Sequence, residues 1–242
     1  MKLNNKKIIG ISIMVALILT LVFALVYAIP GGPTISYQTN STKNTSGPTN
    51  RTNDDGGYIT TMNLDLAQQT EYWKAYVGNV SGSITLDDSS SYTIYDWTLT
   101  TITGEVYATR ASSTTWSNVQ CANDAAVTAE QNFLNMTVDQ IYNVNNTFNY
   151  SDHKSFIVAG KNITADSCWN TALHINDTGQ TVTGAAAFQQ IILQDGTDVI
   201  YTTIIENNAY GYNNMTYDYQ LIVGEAESNG NALTHYFYVE LG

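Results

Sequence analysis

Three close pairs of carboxylates are the first residues in this sequence whose types and spacing could do chemistry: Asp87 with Asp88, Asp195 with Asp198, and Glu225 with Glu227. A glycoside hydrolase needs two carboxyl groups roughly 5 to 10 Å apart in a cleft, one of them held protonated. A calcium ion needs about six to eight oxygen ligands, commonly from one acidic loop. These pairs fall on turn-like stretches or alternate along strand-like ones, where solvated acids serve turn geometry and solubility. The segment NDDGG at 53–57 lacks the spacing and the closing glutamate of an EF-hand loop. His153, His174 and His235 stand in separate segments with no H-E-x-x-H spacing, so the sequence writes out no metal ligand set. The nucleophile motif G-x-S-x-G is absent too, because in GNVSG (78–82) the serine comes one place too late. No phosphate loop or dinucleotide fingerprint occurs. Neither a cofactor nor a metal is expected, and catalysis has no support.

The two cysteines, Cys121 and Cys168, form no C-x-x-C pair and no Cys/His cluster. In an oxidising exterior such a pair most simply makes one disulfide. Aromatic residues suggest binding more than catalysis: Tyr72, Trp73 and Tyr76 share one stretch, Trp97, Trp116 and Trp169 follow, and the chain holds 17 tyrosines in all. Flat rings beside Asn, Asp and Gln suit a sugar-binding groove, with the rings stacking on C–H faces. Trp and Tyr equally serve as the large residues of half-buried strands. Tyr72, Trp73, Tyr76, Tyr236 and Tyr238 are the expected binding surface if one exists.

The location of these residues is argued from the N-terminus. Lys2, Lys6 and Lys7 precede an uncharged apolar run from Ile8 to Ala28, which Pro30, Gly31 and Gly32 end. Val26 and Ala28 fit the small-residue pattern of a signal-peptidase site after Ala28. The run is also about as long as a bilayer-crossing helix. In both readings the lysines stay cytoplasmic and the remainder is exported. A pilin-type leader cut after Gly10 is a poorer match, because Ile8 and Ile9 separate the charges from the glycine and no acidic residue opens the helix. Residues 1–28 are therefore expected to be a signal peptide or a membrane anchor, which makes the membrane one partner.

Composition agrees with export. Beyond the leader, six basic residues face 21 acidic ones in a chain only 12% charged, so a nucleic-acid partner is not expected. Asn-x-Ser/Thr sequons begin at Asn40, Asn44, Asn50, Asn79, Asn135, Asn145, Asn149, Asn162, Asn176 and Asn214. Each marks a glycan acceptor if the compartment holds the enzyme, and each also arises readily in an Asn- and Thr-rich chain.

Residues 29–57 are polar and poor in aliphatics, which reads as a flexible, glycosylated stalk. Residues 58–242 read as a single β-rich domain. SGSITLDD and SYTIYDWTLT alternate around a Ser-rich turn, and GEVYATR follows as another strand. AFQQIILQDGTDVIYTTII reads as a hairpin with Asp195 and Gly196 at its tight turn. The last 26 residues read as a second hairpin turning near Asn229 and Gly230. Phe237, Val239 and Leu241 then face one side, and Tyr236, Tyr238 and Glu240 the other. Only CANDAAVTAEQNFLNM (121–136) has helical spacing, with Asn123 or Asp124 as N-cap, and TVDQIYNVNNTF suggests a further helical turn. The expected fold is all-β, a β-sandwich of Ig-like or related topology, with one short inserted helix and a preceding N-terminal apolar helix.

EYWKAYVGNVSGSITLDD, YTIYDWTLTTITGEVYAT, WSNVQCANDAAVTAEQNFL, the NNTFN before His153 and the closing HYFYVEL together resemble a group of uncharacterised archaeal exported proteins. The resemblance spans most of the chain after Tyr58 and implies a shared β-fold and a cell-surface location, with no activity attached. The expected function is a membrane-anchored or secreted surface glycoprotein acting in adhesion, recognition or envelope structure toward a surface protein or glycan. Self-assembly into a filament or lattice is the alternative, with PTISYQ inserting as a strand into a neighbour through Ile35 and Tyr37. A glycan-active hydrolase is the third reading.

Overall fold

A computed structural model describes residues 29–42, 69–226 and 232–242. The expected apolar N-terminal helix, the sequons at Asn44 and Asn50, and the turn at Asn229 and Gly230 lie outside them. Among the described residues no helix is long and apolar enough to cross a membrane.

Alternating or continuous apolar runs become strands. In chain order these are β1 (Trp73–Gly78), β2 (Ser83–Asp87), β3 (Thr93–Thr98), β4 (Gly104–Thr109) and β5 (Gln120–Cys121). Then come β6 (Phe156–Val158), β7 (Lys161–Ile163), β8 (Asn170–Ala172), β9 (Gln189–Gln194) and β10 (Val199–Ile204). The last are β11 (Ala209–Tyr210), β12 (Thr216–Tyr217), β13 (Tyr219–Gly224) and β14 (Tyr236–Leu241). The inserted helix α1 spans Asp124–Phe133, and α2 is the single turn Val144–Thr147. Asn123 caps α1, its side chain accepting the Ala126 N–H at 2.9 Å. Among the described residues the fold is mostly antiparallel β with two helices, which agrees with the all-β class that the sequence predicts.

A central antiparallel sheet runs β14-β4-β10-β9, and β5 and β8 pair with opposite ends of β9 at its far edge. Every residue of β9 and β10 is buried, so both faces of this sheet are covered. β9 (QQIILQ) and β10 (VIYTTI) therefore carry glutamine and threonine as well as apolar side chains into the interior. One face presents Ala108, Ile192, Val199 and Tyr201 to α1 and to the antiparallel β1–β13 ribbon. The other presents Tyr107, Ile191, Leu193 and Ile200 to the β6–β7 hairpin, Trp116 and Cys168.

Layers are joined by polar side chains as well as apolar ones. The Gln190 amide donates to Ile222 O (2.5 Å) and accepts from Ile222 N (2.8 Å), so a side chain of β9 completes the free edge of β13. Gly224 lets the layers close. A Cβ there would fall 2.3 Å from Leu134 Cδ1 and 2.9 Å from Tyr201 Oη.

Two turns differ from the sequence reading. In the β9–β10 hairpin, Asp195 and Asp198 flank the turn and Gly196 takes its first central position with φ +100°, so Gly196 and Thr197, and not Asp195 and Gly196, are the central pair. The expected C-terminal hairpin is not one: β13 pairs with β1 and β14 with β4. Their alternation is equally satisfied by two different partners, because alternation fixes a face and not a neighbour.

The expected disulfide is present, joining Cys121 of β5 to Cys168 ahead of β8 across a separation of 47 residues. Closing that loop restricts the unfolded chain. Replacing both cysteines with serine is expected to lower the unfolding free energy by about 4 kcal/mol, measured by urea titration. A loss under about 1 kcal/mol would show that the unfolded chain is not what the bond restrains.

Candidate interaction surface

The β2–β3 hairpin stands apart from these layers. All of its strand residues are exposed. Ile84 lies opposite Trp97 and Leu86 opposite Tyr95, which puts the four on one face. They are 49%, 49%, 54% and 59% exposed in that order, and Tyr95 meets Trp97 edge-on at 5.0 Å. The reverse face carries Thr85, Asp96 and Ile94. An isolated two-stranded hairpin is marginal in water, and contiguous exposed apolar surface marks an interaction site.

This arm is held firmly at its base. Val80 N–H donates to Asp218 Oδ2 (2.8 Å) and Ile102 N–H to Asn207 Oδ1 (3.1 Å), one anchor on each limb. Gly82 lies against Leu241, where a Cβ would come within 2.5 Å of Cδ1. At the tip, Asp88 Oδ1 accepts the N–H groups of Ser90 (2.8 Å) and Tyr92 (2.9 Å), while Asp87 accepts the Thr85 hydroxyl. The first acidic pair thus shapes a turn. No Lys or Arg occurs from Ala75 to Thr109, so the arm's charges, Asp87, Asp88 and Asp96, are all negative.

The other residues singled out from sequence are dispersed. Tyr72 stacks on Tyr142 at 5.5 Å, Trp73 donates its indole N–H to Tyr142 O at 2.6 Å, and Tyr76 lies edge-on to Phe237 at 4.8 Å. These three pack the ribbon onto the core. Tyr236 and Tyr238 project from the opposite face of β14, Tyr238 against Trp116 at 5.2 Å, so the five do not form one surface. The described sequon asparagines, Asn40, Asn79, Asn135, Asn145, Asn149, Asn162, Asn176 and Asn214, are all exposed. Burial tends to raise the Asp195 carboxyl, but N–H groups of Asp198, Thr115 and Thr197 hold it below the usual range. It too is a turn builder. Glu225 is buried and accepts the Leu233 N–H at 2.5 Å, while burial lowers the His235 imidazole. His153 is fully buried, with Nε2 accepting from Ser167 N and Cys168 N. Among the described residues no group of three or more His, Cys, Asp and Glu could hold a metal.

A carboxyl pair missed in the sequence lies in the core. Glu105 and Glu240 are directly opposed on β4 and β14, each 6% exposed. Glu240 accepts from Tyr107 Oη (3.0 Å) and from Ala159 N (3.0 and 2.9 Å to its two oxygens). Burial first, and then the charge of Glu240, push the Glu105 carboxyl up to about 8, against the opposing pull of Lys154. Alternation puts Glu240 on the face of Tyr236 and Tyr238, a pattern that does not tell a covered face from a wet one. The β6–β7 turn at Ala159 covers it. A second buried acid, Glu130, is paired with Arg110 (2.5 Å) and accepts from Tyr201 Oη (3.1 Å).

The elevated Glu105 has a definite sign. The folded chain keeps this proton up to about pH 8 while the unfolded chain releases it near the ordinary value of 4.5, so stability contributed by the neutral acid is lost as pH rises across that window. Glu105→Gln is expected to match the parent in denaturant stability near pH 4.5 and exceed it at pH 8. A pH-independent difference would mean that the buried acid is ionised throughout. No protein-family model, curated protein or solved structure matches this chain.

Proposed function

We propose that the protein is a cell-surface glycoprotein, membrane-anchored or secreted, whose β2–β3 arm docks on a protein partner in adhesion, recognition or envelope structure. The observation that carries this reading is the apolar face of Ile84, Leu86, Tyr95 and Trp97 on a hairpin fixed at its base and free beyond it. Its all-negative rim fits a partner with an apolar strip flanked by Lys or Arg. A second copy of this acidic chain lacks that complementarity.

The leader, the disulfide and the exposed sequons support an exported setting, and the ribbon lying on the central sheet supports a sandwich of Ig-like or related kind. The archaeal exported proteins that the sequence resembles fit the same setting. Strand insertion into a neighbour has one observation on its side: Ile35 and Tyr37 are 65% and 75% exposed. Against it, Gly31 already pairs with Val239 on the outer edge of β14, through hydrogen bonds of 3.0 and 2.9 Å. Continuing that ladder would set Pro33 opposite Phe237, where proline has no N–H to give.

The test is binding of the purified, fluorescently labelled protein to envelopes of the cells that make it, compared with Ile84→Ser/Trp97→Ser. Removing a central aromatic anchor should weaken binding at least about tenfold. Equal binding by the variant would overturn the arm as the contact surface. Binding that survives protease treatment of the envelopes but not glycosidase would replace the protein partner with a glycan. Polymer in sedimentation without envelope binding would favour the filament or lattice reading.

A further inference from the structure

The β11–β12 hairpin carries tyrosines that the arm does not explain, the exposed Tyr210 on the face of its partner Thr216 and the half-buried Tyr217 on the other. Tyr210, Tyr212 and Met215 are 62%, 45% and 61% exposed, and the rings of Tyr212 and Tyr217 lie nearly parallel, 6.2 Å apart at 13°. Between the strands, Asn214 N–H donates to Gly211 O (3.1 Å) and Gly211 N–H to Met215 O (2.8 Å), a tight turn with Asn214 at φ +63°. Asparagine tolerates that left-handed conformation better than most residues. The neighbouring Asn213 amide is engaged, donating to Tyr217 Oη at 3.1 Å and accepting from Met215 N at 3.2 Å. The Asn214 amide is exposed and makes no hydrogen bond among the described residues.

Asn214 opens the sequon Asn214-Met215-Thr216, and its Thr216 is the cross-strand partner of Tyr210. This corner is rigid. Asn176 N–H and Asp177 N–H donate to Gly211 O (2.9 Å) and Tyr212 O (2.6 Å), and Tyr212 N–H to the buried Gln220 (2.8 Å). An acceptor amide at a turn tip, with tyrosine rings on the strands beside it, gives a hexosamine both its linkage and an apolar platform for its C–H face. By contrast, Asn162 lies within β7 opposite Ile157, in a hairpin without an aromatic residue other than the buried Phe156.

We infer that Asn214 is an N-glycosylation site whose first sugar packs on the tyrosine surface of its own hairpin. In the transfer, the Asn214 side-chain nitrogen forms a bond to the anomeric carbon of a lipid-linked, phosphate-activated glycan. The bond from that carbon to the phosphate oxygen breaks, the phosphate departs with its electron pair, and the amide nitrogen loses one proton. The inference deepens the exported-glycoprotein reading and rests on it.

The experiment is secretion of the full chain from yeast, glycopeptide mapping of all ten sequons, and thermal unfolding of the purified glycoprotein. Asn214 should be occupied, and Asn214→Asp, which removes the acceptor amide but keeps a residue that tolerates the left-handed turn, should lower the midpoint by about 2 to 4 °C. In a Tyr210→Ala/Tyr212→Ala background the same change should shift nothing, and Asn162→Gln should leave the midpoint unaltered even where that site is occupied. Asn214 left bare while other sequons are modified would overturn this inference and leave the exported reading standing. An Asn214→Asp effect that persists without the tyrosines would refute the packing. Ten bare sequons would count against both.

Discussion

Covering the central sheet on both faces is the constraint from which the other features follow. Once β9 and β10 are dry on each side, every polar atom they carry must find its partner inside the protein. Gln190 does so by bonding both backbone groups of Ile222, and Gln189 by donating to Thr183 O and Ala186 O and accepting from Lys154 N. Each amide therefore fixes where a covering segment lies. An apolar side chain at these positions would fill the space but leave the facing strand's hydrogen bonds unmet, a loss of about 1 to 3 kcal/mol for each buried group. The Arg110, Glu130 and Tyr201 cluster plays the same part between α1 and the sheet, and the close approach at Gly224 follows from it.

The edges of the sheet are handled differently. At one edge β5 and β8 divide the length of β9, and the disulfide ties them together. At the other, a single bridge from Gly31 occupies β14, and Pro33 stops it from extending. A bare edge strand invites pairing with another chain. Gly31 thus lies on the edge of β14, so the start of the expected stalk meets the sheet, while Ile35 and Tyr37 beyond it face solvent.

Features set by local signals were legible in the sequence. The Asn123 cap, the Ser-rich turn at Asp88, the glycine at 196 and the division of β14 into two faces all depend on residues close in the chain. The disulfide was legible because two cysteines allow one pairing. Long-range choices were not. That β13 takes β1 as its neighbour and not β14 depends on Gln190 and on Trp73 packing near Tyr201, neither of which alternation reveals. The burial of Glu105 and Glu240 left no mark, because a covered polar face and a wet one have the same pattern. The arm was read as an ordinary hairpin, because no sequence signal distinguishes a strand pair that packs from one that projects. Its Ile84, Leu86, Tyr95 and Trp97 follow the rhythm of a half-buried sheet, and only the missing second layer sets them apart.

The arm's two anchors also bear on how the protein can change over time. Asp218 and Asn207 hold Val80 and Ile102 through backbone N–H groups, contacts that do not read the identity of the residues they hold. Residues 83–98 can therefore be exchanged, lengthened or recoloured with charge while the core keeps its packing. Such a cassette can change its surface at its own pace, uncoupled from the constraint that a doubly covered sheet imposes on its buried positions.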